Sequence, residues 1–507
     1  MTRKRRVDIN LDELDRIIDR GQRAPLSEEE GEKLKTAIHA MAERLLQKRS
    51  TEKTSAVVPG TAPAGKPDAS ESAPAGHGRN PAAAFRGANE VAVPHPTLHS
   101  GDTCPECHRG KVYNQKEPAT LVRFVGHAPL AATVFEMERL RCNACGEVFT
   151  ADEPEEAGLA KYDETAVAMI ALLKYGTGMP FKRLERLQAQ LGMPLPAATQ
   201  WELMAAAANP LRLALAELIR QAAQGRVLHN DDTSMRILRL IREPDDKRTG
   251  TFTSGIVSIV GPWTIALFFT GWKHAGENIA EVLKQRASGL PAPIQMCDAL
   301  SRNAPKGVET LLANCLAHGR RQVVEVADNF PEECRHVLET LGVVYHYDAL
   351  AREQGLSLEE RLLFHQEHCG PLMKDLHEWM EAQLAEHKTE PNSGLGKAIS
   401  YLLNHWLKLT LFLRQAGAPI DNNIVERALK KAILNRKNAL FYKTLNGAGV
   451  GDLFMSLIHT CELNGANPFD YLTELLRHAE ELKQSPSEWM PWNYREMLAR
   501  LATPAAA

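Results

Sequence analysis

Three carboxylates and two cysteine pairs carry most of the chemistry this chain could perform. Glu426 lies in the segment PIDNNIVERALKKAILNRKN (residues 419–438), where Ile424, Val425, Ala428, Leu429, Ala432 and Ile433 share one side of a helical wheel and Arg427, Lys430, Lys431, Arg436 and Lys437 follow the acid. An acid followed by five cations is the pattern expected where a metal-binding carboxylate works beside a polyphosphate backbone. A purely structural reading competes with it. Asn423 as N-cap with Glu426 at N3 would make a capping box, and Glu426 with Lys430 would make an i,i+4 ion pair. Asp231 and Asp298 end the short apolar runs RVLHNDD and PIQMCD. Acids at the ends of buried strands are costly unless they are solvated or neutralised, and a pair of divalent cations would neutralise them. Either aspartate taken alone could equally be a turn or cap residue. Strand alternation puts Asp231 on the face of His229 and turns Asp232 the other way.

Cys104-Pro-Glu-Cys107 and Cys142-Asn-Ala-Cys145 are two CxxC knuckles that can supply four thiolates to a tetrahedral structural zinc. A redox pair or unrelated thiols are the alternatives. The pairs stand further apart than in ordinary zinc fingers, and the alternation at Leu121, Val122, Phe124, Val125, Val134 and Phe135 predicts ribbon hairpins between them. Cys315 and His318 also have ligand spacing, but a single CxxH lacks partners, so a packing or supporting role is expected.

The elements that must position these groups follow from size and periodicity. The chain has 507 residues, 44% apolar and 24% charged, with a net charge of −3 and nine cysteines. That is long enough for several domains, and any nucleic-acid binding must rest on local basic patches. An odd cysteine count and no export signal argue for thiols and metal ligands in the cytoplasm rather than for disulfides. Residues 1–49 show helical spacing with heavy charge, either as helices pairing between subunits or as a solvated hairpin. Residues 50–98 read as a disordered linker, 99–155 as the zinc-binding segment, and 156–224 as helices. Two short helices around the turn at Gly192–Pro196 fit either a helix-turn-helix, with Lys182, Arg183 and Arg186 meeting phosphates, or a plain bundle. Gly250–Trp272 is uncharged, yet Gly261-Pro262 and its β-branched content predict two buried strands and a turn rather than a membrane span. Residues 225–445 therefore read as an α/β domain of strand, strands, helix, strand order, that of a ribonuclease-H-like core, with a helical insertion at about 320–413. Closing helices follow over 446–507.

The motifs LHNDDTSMRIL, QMCDALSRN, CLAHGRRQ, IDNNIVERALKKAILNRKN and SLIHTCELNGANPFDYL, in this order, resemble the insertion sequence 66 family of bacterial DDE transposases over nearly the whole chain. The resemblance implies Asp231, Asp298 and Glu426 as an acidic triad holding two Mg2+ (or Mn2+) ions. It also implies cleavage at element ends and strand transfer into target DNA. The partners it implies are terminal inverted repeats and target DNA, a homo-oligomer on DNA, and small accessory proteins of the element. Asp232 and Leu300 depart from the family pattern, which has Glu after the first catalytic Asp and an aromatic shortly after the second. A non-catalytic DNA-binding protein and a structure-selective nuclease are the competing readings.

Overall fold

A computed structural model describes Ser27, Thr54–Val57 and residues 92–502, except 116–127, 142, 144, 146, 159, 241–247 and 249. The expected N-terminal helices, Cys142 and the alternating stretch at Leu121–Val125 lie outside the described residues. Strands β1 (Arg139–Arg141) and β2 (Val148–Thr150) form an exposed antiparallel hairpin whose turn holds Cys145. Val134 and Phe135 precede that hairpin in no strand, and both are exposed, contrary to the alternation-based expectation. Within the segment expected to be an unstructured linker, Thr54–Val57 form a helical turn with Val57 buried.

Helices α1 (Glu164–Ala171), α2 (Phe181–Gln190) and α3 (Ala197–Ala222) lead into the main sheet. This sheet contains β3 (Val227–Ser234), β5 (Phe252–Val260), β6 (Trp263–Gly271), β7 (Ile294–Cys297) and β8 (Leu311–Asn314), in the order β6-β5-β3-β7-β8. The β6, β5 and β3 neighbours are antiparallel, whereas β7 and β8 run parallel to β3. The apolar run at Gly250–Trp272 is therefore a hairpin. Gly261 takes φ +57° in its two-residue turn, a conformation that L side chains disfavour. Short strands β4 (Ile237–Arg239) and β9 (Tyr442–Thr444) pair separately.

Helix α4 (Ala275–Leu283) lies between β6 and β7, and after β8 come α5 (Leu316–Val326) and the helices α6 (Pro331–Glu353), α7 (Leu358–His368), α8 (Gly370–Ala385) and α9 (Gly394–Asn404). As expected for the insertion, this region adds no strand to the sheet among the described residues. Helices α10 (Asn423–Ala439), α11 (Leu445–Leu463) and α12 (Pro468–Arg477) follow. Two cores flank the sheet. One joins β5 and β6 to α1, α3, α10, α11 and the closing helices, and the other joins Val227, Ile294, Met296 and Ala313 to the insertion.

An edge strand leaves backbone groups unpaired, and here α11 satisfies them. Its residues Asp452, Ser456 and Thr460 and its C-cap Asn464 recur every fourth position and so share one face. They accept from the backbone N–H groups of Thr270 (2.6 Å), Phe268 (3.0 Å), Ala266 (3.1 Å) and Thr264 (3.0 Å) in turn. This polar stripe explains how a helix buried on most of its surface keeps Asp452, Ser456 and Thr460 satisfied: they bond the edge strand β6.

Candidate active site

Asp231 does not end its strand. Strand β3 continues to Ser234 through pairing with β5, in which Asp231 lies opposite Gly255. The parallel neighbour β7 stops earlier, with its pairing ending at His229 opposite Met296 and the strand itself at Cys297. The sheet therefore opens beside Asp231, and Asp298, the first residue after β7, stands at that opening. Asn303 connects the two acids: its Nδ2 donates to Asp298 Oδ1 and lies 3.5 Å from Asp231 Oδ1. Asn303 is buried, and its carbonyl accepts from Asn230 at 2.9 Å and Gln295 at 2.7 Å.

Glu426 reaches the same region from the first turn of α10. Val425, Ala428, Leu429 and Ala432 form the buried face of this helix, as the spacing predicts. The close approach depends on Gly255, where a Cβ would meet Leu429 at 3.0 Å and Val425 at 3.2 Å. The capping box expected at Asn423 is absent. Asn422 is the N-cap and its side chain makes no cap bond, because it is used elsewhere. Its Oδ1 lies 3.0 Å from His229 Nδ1, and its Nδ2 donates to the Asn230 carbonyl at 3.1 Å. The Asn423 side chain donates to Asp421 instead. Among the described residues Glu426 makes no ion pair with Lys430; its Oε1 lies 3.8 Å from His318 Nδ1 and is a buried atom without a hydrogen bond. A carboxylate with neither cap nor lysine to satisfy it is available for other chemistry.

Burial pushes the Asp231 carboxyl up to about 7, with the charges of Asp298, Asp232 and Glu426 adding to the shift against a bond from the Asp232 N–H. Acids drawn from three parts of the sequence thus act on one another, and their charges raise the Asp231 carboxyl. A divalent cation would offset that charge. Asp232 faces away, as expected: Ser254 donates to it at 2.6 Å, and His274 Nδ1 stands 3.0 Å away. Burial lowers the His229 imidazole to about 4, keeping it neutral against Asn422.

The basic residues divide into two sets. Arg427, Lys430 and Lys437 are exposed. Lys431 is tied to Glu462 at 2.8 Å, and Arg436 donates to Thr233 at 2.9 Å and to Ser234, clamping the end of β3. Lys182, Arg183 and Arg186 are exposed on α2, with Lys182 paired to Glu185 at 2.8 Å. Helix α3, after the turn, is not short. Its 26 residues pack onto the sheet, and Ser258 donates to the Ala222 carbonyl at 2.7 Å, so it belongs to the core.

Cys104 and Cys107 sit in a tight turn closed by the Cys104 N–H to Gly110 carbonyl bond at 2.8 Å and the Thr103–Lys111 bridge. Backbone hydrogen bonds at Arg109 and Gly110, then Cys104, hold the Cys107 thiol below its ordinary value.

Sequence reasoning missed Asn303 and Asn422, which no spacing rule singles out, and it gave His318 no partner. The Cys315 thiol, His318 imidazole and Glu426 carboxylate each place a ligand atom within 4.8 Å of the others.

Residues 160–449 match the family described as "Transposase IS66 family". The chain is also similar to three uncharacterized proteins of Sinorhizobium fredii (strain NBRC 101917 / NGR234). It is 28% identical to y4jD over 393 residues, 70% of this chain and 71% of that one. It is 33% identical to y4hP over 215 residues, 40% and 39% of the two chains, and 24% identical to y4qI over 352 residues, 67% and 64%. With its main sheet and more than half its length inside the matched region, the chain belongs to the IS66 family of transposases.

Proposed function

We propose that the protein is a DDE-type DNA transposase in which Asp231, Asp298 and Glu426 form the acidic triad on a ribonuclease-H-like core. The observation that carries this reading is the Asp231 carboxyl, raised to about 7 by burial and by the charges of Asp298 and Glu426. The sheet order, an antiparallel hairpin beside a central strand and then two further strands parallel to it, supports the core assignment. Bound divalent cations, Mg2+ or Mn2+, would supply Lewis-acid activation of the attacking oxygen and charge stabilisation at the leaving one in phosphodiester cleavage and strand transfer.

The residues of the chain prepare that chemistry. Asn303 fixes Asp231 and Asp298 relative to each other, and Asn422 fixes the start of α10 against His229 and Asn230, so that Glu426 projects toward the opening in the sheet. Exposed Arg427, Lys430 and Lys437 lie on the same helix and would hold the DNA backbone. Arg183 and Arg186 on α2 would add a second phosphate-binding patch. Lys431 and Arg436 serve the fold, through Glu462 and the end of β3. A structural zinc belongs to the same reading, with Cys104 and Cys107 in a turn whose N–H groups face sulfur and Cys142 and Cys145 completing four thiolates. The protein would act in the cytoplasm, as an oligomer on its terminal inverted repeats and with small accessory proteins.

The test is a cleavage and joining assay on the DNA flanking this gene at its own locus. Metal-dependent nicking followed by joining of the cut end to target DNA is expected. Nicking without joining would make it a nuclease, and neither activity would make it a binding protein.

A further inference from the structure

The geometry points to a second metal site, for a soft transition-metal ion such as Zn2+, formed by Cys315, His318 and Glu426. Cys315 is the N-cap of α5 and His318 follows in its first turn, so the i,i+3 spacing sets both on one face. Glu426 comes from α10, and the three ligand atoms lie within 4.8 Å of one another. His318 Nδ1 and Glu426 Oε1 are both buried atoms without hydrogen-bond partners, 3.8 Å apart. Bonds of about 2.0–2.3 Å to one tetrahedral zinc require ligand atoms roughly 3.5 Å apart, which small side-chain rotations reach from here.

Sulfur, nitrogen and oxygen donors with a fourth position open match a three-ligand zinc site, whereas Mg2+ takes oxygen ligands in octahedral geometry. The second shell is also present. The Asn422 N–H donates to Cys315 Sγ at 3.2 Å, a bond that would orient the sulfur toward an ion. His318 and Glu426 are 24% and 29% exposed, which gives an ion a path to the otherwise buried thiol.

Binding at this site does not depend on the proposed activity. One consequence does rest on it: zinc held here takes Glu426 away from Asp231 and Asp298, so micromolar Zn2+ should inhibit Mg2+-dependent cleavage.

The test measures zinc per chain in full-length protein that has been stripped with chelator, reloaded with Zn2+ under reducing conditions and dialysed. Wild-type protein should retain one more zinc than His318→Ala or Cys315→Ala, each variant weakening that ion by at least about a hundredfold. Cobalt-loaded wild type should show a thiolate-to-metal absorption band that Cys315→Ala diminishes, and excess Mg2+ should not displace the ion. Cys315 is fully buried, so thermal melts check that variant, and the more exposed His318→Ala carries the result should Cys315→Ala unfold. Equal zinc content in wild type and folded His318→Ala would overturn the proposal. Failure of DNA cleavage would leave the zinc count untouched, which separates this inference from the assignment of the triad.

Discussion

Gly255→Ala should separate the positioning of Glu426 from general stability. The added Cβ would stand 3.0 Å from Cγ and Cδ2 of Leu429 and 3.2 Å from Cγ2 of Val425, on the buried face of α10 to either side of Glu426. Neither contact is with the free end of a long flexible chain, so the helix must withdraw by a few tenths of an ångström. Overpacking of this kind costs about 1–3 kcal/mol. Removing a mid-strand glycine returns about 0.5–1 kcal/mol, which leaves a net loss of roughly 1 kcal/mol by urea denaturation. Activity should suffer more. If a displacement of 1 Å costs on the order of a hundredfold, a few tenths should slow metal-dependent nicking by about three- to tenfold. Gly271→Ala is the control, because its Cβ would meet nothing closer than Leu445 at 3.9 Å and it lies on the same hairpin. Nicking by Gly255→Ala at the rate of Gly271→Ala would refute the idea that this close approach sets Glu426 in place.

Asn422→Ala should lower stability by roughly 2–4 kcal/mol in urea titrations, since it strands His229 Nδ1 and removes a donor from the buried Asn230 carbonyl. Arg427→Ala should weaken DNA binding and flatten its salt dependence by about one unit of slope. Arg436→Ala should instead lower the melting temperature with little change in that slope, because its guanidinium is bound to Thr233 and Ser234. Burial raises the Asp452 carboxyl to about 7, so the folded protein keeps a proton there that the unfolded chain releases near its ordinary value of 3.8. Stability contributed by this group is therefore greatest in acid and falls as pH rises from about 4 to 7, by at most about 4 kcal/mol at about 1.4 per pH unit. Asp452→Asn should remove that slope from chemical denaturation measured across the range, and an unchanged slope would contradict the assignment.

Short-range patterns were legible where the signal was local. The break at Gly261-Pro262 marked the hairpin, the spacing of Val425, Ala428, Leu429 and Ala432 marked the buried face of α10, and the alternation from His229 to Asp232 put Asp231 and Asp232 on opposite faces. The cap of α10 was misread by one residue because local rules assume that an asparagine side chain serves its own helix. Asn422 instead serves a strand 192 residues earlier. The cations of α10 looked equivalent in sequence, yet Lys431 and Arg436 are claimed by Glu462 and by Thr233 and Ser234, partners that only the packed chain brings near. The length of α3 and its place in the core depended on the sheet it covers. The stripe Asp452, Ser456, Thr460, Asn464 was not read from the sequence, because its role appears only once β6 is known to be an edge strand.

Glu426→Gln tests the central claim most directly, because it keeps the size of the side chain while removing the charge, and the structure leaves no capping role for it to disturb. With Mg2+ and end DNA, the variant should melt at close to the wild-type temperature and produce no detectable nicking. Nicking at the wild-type rate by folded Glu426→Gln would contradict the assignment of Asp231, Asp298 and Glu426 as one catalytic triad.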